Sequence, residues 1–272
     1  PWLSLENNTS FYASQYTGGR SSSFGWGTQL DEFASPSYLP FNPDGTYTYL
    51  PGSGPYTIAN GNGGDMLYGK SKSIENEYDL RNTLNATVKI GSHISVVGNY
   101  TYEMILSRDM DRIVQVPYSL HPGVVQIMSR FNVDQLTETD NTSFYQVFNA
   151  YATYENAFGK HNVKAMVGYN SEEMKLKQVG ASVNNVLSLD QNDLALGTGN
   201  KDVIGGSSAW ALLGAFYRVN YDYASKYLLE VDGRYDGTSR FKQGSRFGFF
   251  PSVSAGWRIG EEPFFKPLKR IF

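Results

Sequence analysis

The sequence predicts an all-β protein, an antiparallel segment of a transmembrane β-barrel, and three observations carry that prediction. The first is the length of the alternating runs. Ala211, Leu213, Ala215, Tyr217, Val219, Tyr221 and Tyr223 fall on one face, against Gly214, Arg218, Asn220 and Asp222 on the other. Soluble strands average about 5–6 residues, whereas about ten or more alternating residues suit a tilted strand that crosses a bilayer. The second is rhythm: tight turns at Gly91-Ser92, Gly159-Lys160 and Ala224-Ser225 alternate with long connections. Barrels of outer membranes have that asymmetry, short on the periplasmic side and long outside. The third is the crowding of Tyr221, Tyr223 and Tyr227 around one short turn, the pattern of an interfacial girdle.

Taken in order, residues 1–17 hold the end of a strand, SFYASQY, and from Gly18 to about Ser73 the chain reads as loop, with Gly-Gly, Asn-Gly, Asp-Gly and Pro punctuation. Alternation begins near Asn76. Leu80, Leu84, Ala86, Val88 and Ile90 share a face, and beyond the turn Ile94, Val96, Gly98, Tyr100, Tyr102, Met104 and Leu106 share the next. A second connection covers Ser107 to about Thr142. A hairpin follows over about Ser143–Phe158 and His161–Lys177, then a third connection from about Gly180 to Ser208. The next hairpin has Tyr227, Leu229, Val231, Gly233 and Tyr235 on the apolar side of its second arm and Glu230, Asp232, Arg234 and Asp236 opposite. A last run sets Phe247, Phe249, Val253, Ala255, Trp257 and Ile259 against Gly248, Ser252, Ser254, Gly256 and Arg258. About seven or eight strands result, enough for a curved, open wall. A soluble β-sandwich also alternates, but turns every 8–12 residues.

Composition agrees with strands and turns: 20 Tyr, 16 Phe and 28 Gly in 272 residues, with 18% charged. A formal charge of −3 offers no basic stripe for nucleic acid. The absence of cysteine excludes disulfides and thiolate metal sites. No run approaches the roughly 18 apolar residues of a membrane helix, a test that strands do not face. The first residues, PWLSLENN, lack the basic and apolar segments of an export signal, so the expectation is a cytosolic protein or an internal fragment.

No spacing singles out a catalytic constellation, and neither an enzyme activity nor a cofactor is expected. His93, His121 and His161 are scattered, and Gly61-Asn62-Gly63-Gly64 does not follow a strand and open a helix. Asp190, Asn192 and Asp193 supply oxygens without the spacing of a calcium loop. Two groups stand out instead. Arg218, Asn220, Asp222, Glu230, Asp232, Arg234 and Arg258 form a polar face that either lines a hydrated lumen or stiffens the wall by cross-strand ion pairs. Trp26, Tyr38, Tyr47, Tyr49 and Tyr56, with Phe24 and Tyr118, give the long loops flat rings for contact with a solute or a partner protein, or for packing the loops on one another.

The succession RVNYDY, KYLLE, RYDGTSRF, FGFFPSVSAGW and EEPF resembles the signature of the SusC/RagA family of TonB-linked outer-membrane transporters. FGKHNVKAMVGYNSEE, residues 158–173, is similar to the family's preceding hairpin, and LPFNPDGTYTY near residue 45 to one of its loop segments. The resemblance is most specific over residues 158–265. It implies that residues 1–272 are part of a barrel of about 22 strands closed by a plug domain. It also implies an outer-membrane location in a Gram-negative bacterium, contact with membrane lipid and lipopolysaccharide, and import of oligosaccharides or peptides driven through TonB. A SusD-like surface lipoprotein is the expected partner, and a plug is one more contact for the polar face. The alternatives are a siderophore or cobalamin receptor of the same transport class, and a soluble carbohydrate-binding module.

Overall fold

The computed structural model describes residues 1–19, 41–48, 69–115, 117–121, 124–127 and 133–265. Among the described residues eleven strands run in chain order: β1 (Leu3–Gly18), β2 (Tyr47–Thr48), β3 (Lys72–Ile90), β4 (Ile94–Ile113), β5 (Pro117–His121), β6 (Val124–Ile127), β7 (Gln135–Phe158), β8 (His161–Asn184), β9 (Lys201–Tyr223), β10 (Tyr227–Thr238) and β11 (Phe247–Trp257). Eight of them form one sheet in the order β1-β3-β4-β7-β8-β9-β10-β11, and every pairing in it is antiparallel. The short β2, β5 and β6 make a separate three-stranded sheet.

The strands outrun the boundaries that alternation suggests. Residues 3–18 are one continuous strand rather than a strand end, because β3 pairs with it from Leu3↔Val88 to Gly18↔Ser73. β4 continues to Ile113 and β7 begins at Gln135, so the second connection shrinks to 114–134 and contains β5 and β6. Similarly β8 and β9 leave only 185–200 between them, with a short 3-10 helix at Leu194–Leu196. The added residues, such as Arg108, Asp109, Asp111 and Arg112, are polar on both faces. Above the membrane neither face must be apolar, so period-two contrast fades while the ladder continues.

Each face is continuous across strands. Tyr227↔Tyr223, Leu229↔Tyr221 and Val231↔Val219 extend on one side through Val163 and Ala165 of β8, and on the other through Ala255 and Val253 of β11. Among the described residues only Val114, Leu136, Val183 and Val186 are buried hydrophobics, while Val219, Leu229 and Val253 stand 39%, 42% and 68% exposed. A sheet of this size with its apolar face uncovered fits lipid as its solvent rather than water. No helix among the described residues is long and apolar enough to cross a membrane.

At the short-turn end the rings gather. Tyr223 stacks on Tyr227 at 6.3 Å and Tyr227 on Trp257 at 6.4 Å, with His161 4.9 Å from Tyr223. The Ala224-Ser225 turn, closed by Lys226 N–H to Tyr223 O at 3.0 Å, holds both residues at positive φ, 55° and 56°, the geometry that lets a tight hairpin match strand twist. Asp222 steadies it by accepting from the Ser225 N–H at 2.7 Å. Beyond β11, Glu262 ties the chain back: its carboxylate accepts from Tyr227 Oη at 2.7 Å, Lys226 Nζ at 3.0 Å and Trp257 Nε1 at 3.3 Å. Those bonds, the Tyr227 hydroxyl first, hold the Glu262 carboxyl below its ordinary 4.5. A lowered folded value gives stability that is present above 4.5 and is lost as the pH falls through that lowered value. Glu262→Gln is therefore expected to lower the unfolding temperature of the parent protein at pH 7, and the difference should close in acid below that range. A gap that persists undiminished there contradicts the clamp.

One close approach fixes local packing. Phe216 lies over Gly168, its cross-strand partner, and a Cβ on Gly168 would meet the ring at 2.3 Å. Gly168→Ala is expected to cost about 1–3 kcal/mol by overpacking, measurable as a shift in the denaturant midpoint. Combining it with Phe216→Ala should recover part of that loss, and strict additivity of the two effects would refute the contact.

The only cluster of buried apolar side chains among the described residues sits where β7 and β8 meet the 185–200 loop. Leu136, Val183 and Val186 pack there with Met110, Leu194 and Leu196. Arg112, wholly buried, pins the loops around it. Its Nη1 pairs with Asp134 and donates to the carbonyls of Ile113 (2.6 Å) and Gln135 (3.2 Å), and Nη2 reaches Ser188 O at 3.4 Å.

Candidate functional site: the polar face of the wall

The residues opposite the apolar face define the candidate site, and register decides which of them meet. Asp232 pairs with Arg218 and Glu230 with Asn220 across β9 and β10. Arg218 Nε donates to Asp232, with Glu230 at 4.0 Å, and Asn220 Nδ2 donates to Glu230. These four form one network on half-exposed side chains, where ion pairs contribute up to about 1 kcal/mol each. Arg234 stands apart from it, donating twice to Asp236 (Nε to Oδ2 3.0 Å, Nη2 to Oδ1 2.9 Å) with its guanidinium 5.2 Å from the centre of the Phe216 ring. Asp222 belongs to the turn, and also accepts from Asn162 at 3.4 Å. Arg258 lies past β11, bonds through its N–H to Lys226 O at 2.7 Å, and makes no ion pair among the described residues.

The loop aromatics fare differently. Trp26, Tyr38, Tyr49 and Tyr56 lie outside the described residues, as does Phe24, and Tyr47 is placed by its backbone alone, in β2 in parallel register with Tyr118 of β5. Asp190, Asn192 and Asp193 are not brought together as ligands. Asp190 pairs with Lys70 at 2.7 Å, whose ammonium holds its carboxyl below the ordinary value, and Asp193 caps the 3-10 helix through Ala195 N at 2.8 Å. No group of three or more metal-ligating side chains occurs among the described residues.

Several polar groups on this face escape a reading of the sequence by strand. Asn85, Asn99, Asn149 and Asn170 stand side by side on β3, β4, β7 and β8. Each amide donates to the next: Asn170 Nδ2 to Asn149 Oδ1 at 2.6 Å, Asn149 Nδ2 to Asn99 Oδ1 at 3.3 Å, and Asn99 Nδ2 to Asn85 Oδ1. In the same sheet Tyr145 Oη donates to Glu172 at 2.7 Å, and Arg240 lies 4.8 Å over the Trp210 ring. Near the short-turn end this face encloses a hollow of about 1120 Å³ lined by Lys89, Glu155, Lys164, Asn220 and Glu230 among others. Chemically the face offers hydrated donors and acceptors whose charges are largely matched in pairs.

An antiparallel wall with one lipid-facing and one polar face, short turns at one end and long loops at the other, defines a segment of a transmembrane β-barrel. Comparison with known proteins specifies which kind. The chain is 30% identical over 123 residues to TonB-dependent receptor P3 of Formosa agariphila, covering 44% of this chain and 12% of that protein. To TonB-dependent receptor SusC of Bacteroides thetaiotaomicron it is 44% identical over 57 residues, 21% of this chain and 6% of that protein. Its fold matches the structure of the RagAB peptide transporter with a TM-score of 0.75 at 19% identity, over 97% of this chain and 29% of that one. The chain thus spans under a third of these relatives' length. No protein-family profile matches it. The resemblance to the SusC/RagA family read from residues 158–265 is borne out by the matches to SusC in sequence and to RagAB in fold.

Proposed function

We propose that the chain forms part of the wall and extracellular loops of a TonB-dependent transporter in the outer membrane of a Gram-negative bacterium. The parent protein imports oligosaccharides or peptides beneath a SusD-like surface lipoprotein. The observation that carries the reading is the division of eight long strands into an uncovered apolar face and a polar face whose charges are matched across strands. The similarity to SusC and to RagAB supports the family's mode of action for the parent. In this reading Arg218, Asn220, Asp222, Glu230, Asp232, Arg234 and Arg258 face the lumen, and the large hollow at the short-turn end receives the plug. Trp26, Tyr38, Tyr47, Tyr49 and Tyr56 belong to loops that meet cargo or the lipoprotein.

The test is genetic and biochemical. Deleting the parent gene, or TonB, should abolish uptake of the same solute, and the parent purified in detergent should bring a surface lipoprotein with it. Uptake that survives loss of TonB would rule out the transport reading.

A further inference from the structure

The polar face carries a second hollow, about 550 Å³, on β8–β11 beneath the 239–246 loop, with Asn170, Glu172, Arg234, Asp236, Phe241 and Phe250 in its lining. We propose that this hollow is a binding subsite for one ring of a neutral, hydroxyl-rich solute. The inference rests on the transport reading and goes further by naming the place and the ligand chemistry. The volume lies within the roughly 300–1,000 Å³ of small-molecule sites.

Three observations carry it. The charges of the hollow sum to zero, Arg234 and Arg246 against Glu172 and Asp236, and each has a partner. Arg234 and Asp236 form a two-bond pair, Glu172 accepts from Tyr145, and Arg246 Nε donates to Phe241 O at 3.0 Å. No net charge is left to select an ionic ligand. A paired carboxylate nevertheless keeps lone pairs, and a paired guanidinium keeps N–H groups, for a hydroxyl that both donates and accepts. Next, Phe241 and Phe250, each 61% exposed, border the hollow with bare rings. Their electron-rich faces attract the polarised C–H groups of a sugar ring. Finally, the asparagine chain ends here. Asn170 gives its Nδ2 to Asn149, and its Oδ1 has no hydrogen bond among the described residues.

The floor is built for the pair that orients these groups. Gly214 stands between Asn170 and Asp236 in register, and a Cβ there would come within 2.2 Å of Asp236 Oδ1. Asp236 therefore lies flat on the backbone, and the space above it stays open. A peptide in extended form would ask instead for a row of backbone partners, and β8, β9 and β10 beneath the hollow are paired on both sides.

The test uses the full-length parent in detergent, titrated calorimetrically with neutral malto-, cello-, laminari-, xylo- and manno-hexaoses, oligogalacturonate and hexa-alanine. At least one neutral hexaose should bind, Phe250→Leu and Asp236→Asn should each weaken it at least tenfold, and Phe250→Trp should retain it. Phe249→Ala, on the opposite face, should leave binding unchanged, and heat-modifiability on gels confirms that each variant is assembled. Binding of no neutral hexaose, tighter binding of oligogalacturonate or hexa-alanine, or equal affinity in the Phe250→Leu variant overturns the subsite. TonB dependence of uptake is scored separately, so failure of the transport reading and failure of the subsite remain distinct results.

Discussion

Val219→Arg in the parent protein is expected to remove it from the outer membrane. Val219 sits on the apolar face of β9, between Val231 of β10 and Ala165 of β8, two apolar positions inward of the Tyr223 girdle. A guanidinium there meets hydrocarbon on the lipid side, at about 2–4 kcal/mol near the bilayer midplane and less toward the interfaces. The prediction is therefore graded. Leu229→Arg, one position from Tyr227, can extend its charge to the interface and should impair assembly less. Glu230→Gln, on the polar face, should leave it intact while losing the charge assistance in the bond from Asn220 and the 4.0 Å ion pair with Arg218. Quantifying heat-modifiable protein in outer-membrane fractions checks the series, and wild-type levels of Val219→Arg would mean that the faces are assigned the wrong way round.

The second large effect is expected at Arg112. Its guanidinium is buried against Asp134 and three backbone carbonyls, and Nε is buried without a partner among the described residues. Removing one member of a buried pair costs about 3–5 kcal/mol, because the other charge is left stranded. Arg112→Ala should therefore loosen the 185–200 loop, whose amides bond locally: Leu187 N to Leu196 O at 3.1 Å and Thr198 N to Asn185 O at 3.0 Å. Hydrogen exchange is the measurement. Those amides should lose protection while the β8–β9 ladder within the membrane keeps it, since these layers open independently. Arg112→Met with Asp134→Leu, an apolar pair in place of the ionic one, should recover much of the protection. Unchanged exchange in Arg112→Ala would show that the loop is held by its apolar contacts alone.

Much of this was legible in the residues, and the limit has a physical basis. Alternation with a tight turn fixes pairing by reflection: like faces must meet, so the turns close on three residues, 224–226 and 91–93, which sets Arg218 opposite Asp232 and Asn85 opposite Asn99. Asn149 opposite Asn170 follows from reflection about the two-residue turn Gly159-Lys160. What no turn supplies is the pairing of Asn99 with Asn149, because a long connection lies between their strands. The asparagine chain is thus half visible in the sequence and completed only by the sheet. Strand ends escaped for a different reason: above the membrane Arg108, Asp109 and Arg112 break the alternation while the backbone remains paired. Arg112 looks like one more surface charge until the 185–200 loop folds over it. Hollows depend on loop placement, so the one beneath 239–246 left no sequence mark beyond Phe241 itself.

The one-way asparagine chain bears on how such a sheet avoids assembling wrongly. Sliding a strand by one residue turns its apolar side chains to the wrong face, and the membrane rejects it. Sliding by two restores every side chain to its proper face, so alternation alone is blind to that error. A two-residue slip of β7 past β4 would set Asn149 against Gly98's or Tyr100's outer neighbours, Val97 or Thr101, instead of Asn99. The amide relay would then break in the middle, leaving its stretches on either side unjoined. Four identical side chains on four strands thus act as a vernier, a fine scale that reads true only when every strand has stopped at its own mark.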